Sequence, residues 1–175
     1  GYGGSCFPKD TRALARLAEE MGYDFKLIKT VIEVNDRQRE LMVDKIERIT
    51  GGVAGKQVAV LGLTFKPNTD DVREAPALYI TQRLVERGAK VRAYDPAGMK
   101  NAAKVLTGVE YAENLYQAAK GADALVIMTE WNQFRNLDWK RIKQVMNDQV
   151  VVDLKNIYEP ARMKELGFVY TSVGR

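Results

Sequence analysis

From residue 53 onward the chain repeats one pattern. A short, continuous apolar run is followed by an amphipathic stretch, and then by another apolar run. The runs are KQVAVLGL, KVRAYDP (Lys90 to Pro96), ADALVIMT (Ala122 to Thr129) and QVVVDL (Gln149 to Leu154), with GFVYTSVG as a fifth at the end. Helical spacing is expected between them, over Ala75 to Arg87, Gly98 to Leu106, Asn114 to Ala119, Leu137 to Met146 and Ala161 to Glu165. Strands that are apolar on both sides and linked by helices are buried on both faces, which requires a parallel sheet covered by helices. The expected fold is therefore α/β, a Rossmann-like doubly wound parallel sheet over residues 53–175.

Residues 1–52 have a different period. Leu14, Leu17, Ala18 and Met21 mark one helix from about Thr11, with Gly22 as its stop. A second helix runs from about Lys26 to Thr50, roughly 37 Å long. It has two apolar stripes, Ile28, Ile32, Met42, Ile46 and Ile49 on one and Leu27, Val31, Val34 and Leu41 on the other. A helix with two such stripes needs two surfaces, so this helical connector reads either as a dimerising element or as a long core helix.

Composition narrows the chemistry. The 175 residues contain one cysteine and no histidine, which rules out an internal disulfide, disfavours a zinc site and removes any Ser-His-Asp or Cys-His machinery. A lone thiol suits a reducing compartment, and the cytoplasm is expected. The net charge is +4, with basic and acidic residues interspersed, so neither nucleic acid nor a membrane is an expected partner, whereas anionic small molecules are compatible. The start within a Gly-rich loop, without a signal peptide, reads as part of a longer protein.

Two loops carry candidate chemistry. In GYGGSCFPKD the glycines allow close backbone approach to a ligand, and Phe7-Pro8 leads into a helix. Cys6 thus lies at the positive end of a helix dipole, beside Lys9, where an anionic sulfur is favoured as a nucleophile. Asp10, one turn away, is suited to orient water or relay a proton. Attack on an aldehyde fits a thiol without histidine; a structural cysteine in a glycine turn is the alternative. In LGLTFKPNTDDVREAP, after the first strand, G-x-G-x-x-G is missing. Lys66, Arg73 and a helix start at Pro76 suit phosphate binding. The alternative is a solvated loop in which Asp70 and Asp71 cap the helix and pair with the basic residues. Asp95, ending the second strand, reads as a turn-forming Asp-Pro more readily than as a ribose ligand.

GYGGSCFPKDTRAL resembles the cysteine signature of the nucleotide-sugar dehydrogenases of the UDP-glucose/GDP-mannose dehydrogenase family, and GLTFKPNTDDVREAP is similar to their nucleotide-sugar loop. MTEWNQFRNLDW and GFVYTSVGR look most like the branch acting on UDP-glucose. The resemblance implies an NAD-dependent oxidation of UDP-glucose to UDP-glucuronate through a cysteine thiohemiacetal and thioester. Residues 1–52 would be the cysteine loop and central dimerisation helices, and 53–175 the UDP-sugar-binding domain. NAD would be bound mainly by an N-terminal domain absent from this chain, leaving the chain alone inactive. By position, Cys6 matches the nucleophile and Asp10 the acid assisting water. Gly3 and Lys66 match substrate-binding positions, and Lys9 and Arg73 match positions reaching NAD. A homodimer through the long helix is implied. Where many members carry Asp-Gly-Arg-Asn, this chain has Asp153-Leu154-Lys155-Asn156, and lysine lacks arginine's planar fork. Sister enzymes acting on UDP-N-acetylmannosamine or GDP-mannose, and a module that only binds nucleotide sugar and dimerises, are the other readings.

Overall fold

The computed structural model describes residues 1–175. Two helices come first, α1 (Phe7–Glu20) and α2 (Lys26–Thr50). Six strands follow: β1 (Gln57–Leu61), β2 (Lys90–Tyr94), β3 (Val109–Tyr111), β4 (Ala124–Ile127), β5 (Val150–Asp153) and β6 (Val169–Ser172). The helices among them are α3 (Pro76–Glu86), α4 (Met99–Ala102), α5 (Leu115–Ala119), α6 (Asn132–Arg135), α7 (Trp139–Val145) and α8 (Pro160–Glu165). The sheet order is β3-β2-β1-β4-β5-β6 and every pairing is parallel. This is the doubly wound order, whose direction reverses between β1 and β4.

The expected α/β architecture is therefore present, with two elements added. β3 has only three residues, and Glu110 interrupts it, so it carries no apolar run. The four-residue helix α6 is too short for a period to show. α1 also begins one turn earlier than the periodicity suggests, because Cys6 is its N-cap and Pro8 falls within its first turn.

The sheet separates two apolar clusters. Ala59, Leu61, Leu125, Ile127 and Val151 face α5, α7 and α8, while Val58, Val60, Val91, Val126 and Val152 face α3 and α2. The first strand residue of each pair points one way and the next the other, and both faces are covered, which is why β1, β4 and β5 read as nearly continuous apolar runs. At the end of β1, Gly62 has φ +96°, and a Cβ there would lie 2.5 Å from that of Thr129. The backbone after β1 thus approaches β4 too closely for any side chain.

The two stripes of α2 separate as their spacing requires. Val43 and Ile46 are fully buried and Met42 and Ile49 half-buried against the sheet domain, while Leu27, Val31, Val34 and Leu41 are exposed. The join to α3 is electrostatic as well. Glu40 accepts from Arg83, Arg87 and the Tyr79 hydroxyl. The Arg83 guanidinium first, and then Tyr79, hold the Glu40 carboxyl below the usual range. A lowered carboxylate stabilises the fold above its unfolded value of about 4.3 and ceases to do so as the pH falls through the lowered value. Glu40→Gln is thus expected to lower the melting temperature by roughly 2–4 °C at pH 7. The gap should narrow as the pH falls below the ordinary carboxylate range; a gap independent of pH would mean that the carboxylate charge is not what joins α2 to α3. No helix is long and apolar enough to cross a membrane.

Candidate active site

The opening loop docks between α2 and the segment after β1. Asn35, buried on α2, holds the backbone of Tyr2 in both directions, accepting from its N–H at 2.7 Å and donating to its carbonyl at 3.2 Å. The Gly4 N–H donates to the Arg73 carbonyl at 3.1 Å. Gly3 passes so close to α3 that a Cβ would lie 2.4 Å from the Glu74 carbonyl oxygen and 2.7 Å from Pro76 Cδ. Its glycine character is thus demanded by packing between the two loops.

This docking brings five of the six sequence-derived candidates, Gly3, Cys6, Lys9, Asp10 and Arg73, to one junction. Cys6 is exposed at the start of α1, its sulfur 3.7 Å from Ser5 Oγ. Lys9 and Arg73, with Ser5, Arg12 and Glu74, line an open cleft beside it. Asp10 lies one turn into α1, its N–H donating to the Cys6 carbonyl, and its carboxylate pairs with Lys9 at 3.2 Å. Arg73 makes a two-bond fork on Asp71, at 2.9 and 2.7 Å. Asp71 first, with a smaller contribution from nearby Cys6, holds the guanidinium above its ordinary value, so it is a fixed cation in the cleft.

The alternative account of the second loop is thereby realised in part. Asp71 does pair with Arg73, but neither aspartate caps α3, whose N-cap is Ala75 with no side-chain bond. Asp70 instead accepts from Asn101. Lys66 is exposed and pairs with no carboxylate; its ammonium lies 5.2 Å from the Phe65 ring centroid.

A second, more enclosed cavity of about 280 Å³ opens at the β1/β4 reversal, where doubly wound folds place ligands. Its wall combines Gly3 of the cysteine loop, Thr64 and Phe65 after β1, Met128 after β4 and Lys155 after β5, with Gln38 and Arg39 of α2. The uncapped first turn of α3, at Pro76 and Ala77, also faces it. Lys66 lines neither this cavity nor the cleft. Lys155, at the position of the departure, pairs with Glu130 at 3.0 Å.

Two buried aspartates hold the loops that form the cavity. Asp95 accepts six hydrogen bonds: from the N–H groups of Leu63, Thr64, Ala97 and Gly98, the Thr64 hydroxyl and the Trp131 indole. It therefore ties the ends of β1, β2 and β4 together, and its turn reading is the one the structure supports. Asp153 does the same after β5, accepting from the N–H groups of Lys155, Ile157 and Tyr158 and from the Tyr170 hydroxyl. Burial, with the charge of Asp153 behind it, pushes the Tyr158 hydroxyl up.

Arg39 joined the candidates only in three dimensions, and Lys155, noted in sequence as the departure from the family's arginine, proves to line the cavity. For Arg39 a signal existed: it falls on the stripe of Asn35, Met42 and Ile46, where a charged residue is out of place.

Residues 59–160 match the UDP-binding domain of the UDP-glucose/GDP-mannose dehydrogenase family, and residues 1–37 match its central domain. The chain belongs to this family. Among its relatives, the UDP-glucose 6-dehydrogenase of Rhizobium meliloti is 49% identical over all of this chain, which covers 40% of that protein. A solved UDP-glucose dehydrogenase from Pyrobaculum islandicum superimposes with a TM-score of 0.79 at 41% identity, over 87% of this chain and 34% of that one. A UDP-D-ManNAc dehydrogenase structure from Pyrococcus horikoshii gives 0.81 at 29% identity, over 100% of this chain and 39% of that one. The chain spans about 40% of the length of the curated relatives it matches. In family terms, the central-domain segment carries the cysteine loop, the UDP-binding domain supplies Thr64, Phe65, Met128 and Lys155 of the cavity wall, and the two meet at Gly3.

Proposed function

We propose that this chain is the cysteine-loop and UDP-sugar-binding part of an NAD-dependent UDP-glucose 6-dehydrogenase. The observation that carries the reading is the docking of the Cys6 loop on the loop after β1, with the enclosed cavity on one side of the junction and a cationic cleft on the other. The sugar end of a UDP-sugar in the cavity would then approach Cys6. UDP-glucose is favoured over UDP-N-acetylmannosamine or GDP-mannose because relatives named for it share 39–49% of this sequence.

The chemistry divides among this chain's residues. The C6 alcohol is first oxidised to an aldehyde, and the Cys6 sulfur adds to the aldehyde carbon, giving a thiohemiacetal. Loss of a second hydride and a proton leaves a thioester. Water, oriented by Asp10, attacks the thioester carbon; the C–S bond breaks and releases UDP-glucuronate, with the sulfur reprotonated. Two NAD molecules, bound one after the other, would each accept one hydride. The cleft suits the cofactor's diphosphate, because Lys9, Arg12 and Arg73 present exposed cations there. The turn after β1 has no G-x-G-x-x-G, so NAD is assigned mainly to structure outside residues 53–175. The exposed stripe of α2 is assigned to a homodimer contact.

Calorimetric titration tests the reading. The chain is expected to bind UDP and UDP-glucose more tightly than GDP-mannose. Lys66 lies outside the cavity in this structure, exposed beside Phe65 of its wall, so its role requires the side chain to swing onto the ligand; Lys66→Ala is then expected to weaken UDP-glucose by about tenfold or more, as for loss of one charge-assisted bond to a phosphate. With NAD and UDP-glucose the chain alone is expected to form no NADH. Preference for GDP-mannose would move the assignment to a sister enzyme, and indifference to Lys66→Ala would remove that residue from the site.

A further inference from the structure

Arg39 has one polar group without a partner. A terminal nitrogen pairs with Asp36, and the guanidinium lies over the Tyr79 ring, 4.9 Å from its centroid. Its side chain is only 15% exposed, and its Nε is buried without any acceptor. A buried donor of this kind is retained at a cost unless something accepts from it.

The residue is also in the wall of the enclosed cavity. That wall contains two cationic side chains, Arg39 and Lys155, and no aspartate or glutamate. Neutral polar groups, among them Gln38, Thr64 and Asn156, supply the rest of its hydrogen-bonding capacity. Arg39 and Lys155 pair with Asp36 and Glu130, neither of which is in the wall, so an anion in the cavity meets the cations and not their carboxylates; the guanidinium has N–H groups beyond the one that Asp36 takes, which suits a planar or forked acceptor such as phosphate.

We propose that Arg39 is a binding residue for the diphosphate of the nucleotide ligand, so that α2, and not only the loops of the sheet, holds the substrate. The proposal rests on the UDP-sugar reading of the cavity. It assigns a role to the helix that connects the two parts of the chain: ligand binding would join α2 to the ends of β1 and β5, in addition to the Glu40 contacts with α3.

The competing role is structural, with Arg39 simply fixing α2 through Asp36 and Tyr79. Titrations with UDP and with uridine, which lacks phosphate, separate the two. Arg39→Gln is expected to raise the dissociation constant for UDP about tenfold or more and leave that for uridine unchanged. Arg39→Lys is expected to recover part of the loss, since it restores the charge but not the fork. Should Arg39→Gln lose its cooperative melt, Arg39→Lys carries the test, with a several-fold loss for UDP alone. Equal losses for UDP and uridine, or UDP affinity within twofold of the unmodified chain, would overturn the proposal. If UDP binding still depends on Lys66, the UDP-sugar reading survives that failure. No UDP binding by the unmodified chain would overturn both.

Discussion

Asp95→Ala is expected to lower the stability of the chain by about 3–5 kcal/mol, the scale for removing a buried charged partner and stranding its donors. That is a large share of the 5–15 kcal/mol typical of a domain. The residue is fully buried, and all six of its donors lose their acceptor together. The loop after β1, which supplies three of these donors, is also held by the Thr129 hydroxyl, which donates to the Thr64 carbonyl at 2.6 Å. Asp95→Asn keeps the shape but points an NH2 group at donors on one side or the other, so it should fall between the alanine variant and the unmodified chain. Urea unfolding followed by circular dichroism reads both. A midpoint unchanged in the alanine variant would show that the network contributes little. Because Thr64 lines the enclosed cavity, the same variants should also weaken UDP before they unfold the sheet.

The other large effect concerns turnover. In an enzyme containing this chain, Cys6→Ser should reduce formation of UDP-glucuronate by at least about a thousandfold, as removal of a nucleophile does elsewhere. A serine hydroxyl needs a base to attack an aldehyde, and the chain contains no histidine to serve as one. The substitution separates chemistry from folding well. Cys6 is exposed and makes no side-chain cap to α1, and serine is a favoured N-cap, so the helix should be at least as stable. UDP-glucose affinity should stay within about twofold, as the enclosed cavity does not include Cys6. The assay is NADH production with UDP-glucose saturating, beside a titration of the same preparation. Substantial turnover by the serine variant would mean that the thiol is not the group that retains the aldehyde.

Much of this protein is fixed by local pattern. The four long runs became β1, β2, β4 and β5, and GFVYTSVG contains β6; β1, β4 and β5 are the most legible, since a strand buried on both faces must be apolar at nearly every position, whereas β2 and the edge strand β6 are partly exposed. The bounds of α2 and the division of its two stripes were legible for a similar reason: a 3.6-residue period over twenty-five residues leaves little room for another register. The short β3 and α6 were not, because three or four residues carry no period and their place is set by neighbours.

The candidate site divides in the same way. The Cys6 loop and the Lys66–Arg73 loop were readable because glycine, proline and charge cluster there in sequence. What sequence could not supply was their meeting. Gly3 against Glu74, Asn35 against Tyr2 and Asp95 against Trp131 join residues 33 to 71 positions apart, and no local rule relates them. Arg39 is the clearest case. In sequence it is a charge out of place on the buried stripe of α2, with nothing to say what it faces; in the fold the residue lines a cavity without carboxylates and its Nε is buried without an acceptor. Local hydrogen bonding and periodicity are properties of neighbouring residues, so sequence determined the elements. Burial and the surroundings of a charge are properties of the packed whole, so only the tertiary structure decided which charges face a ligand.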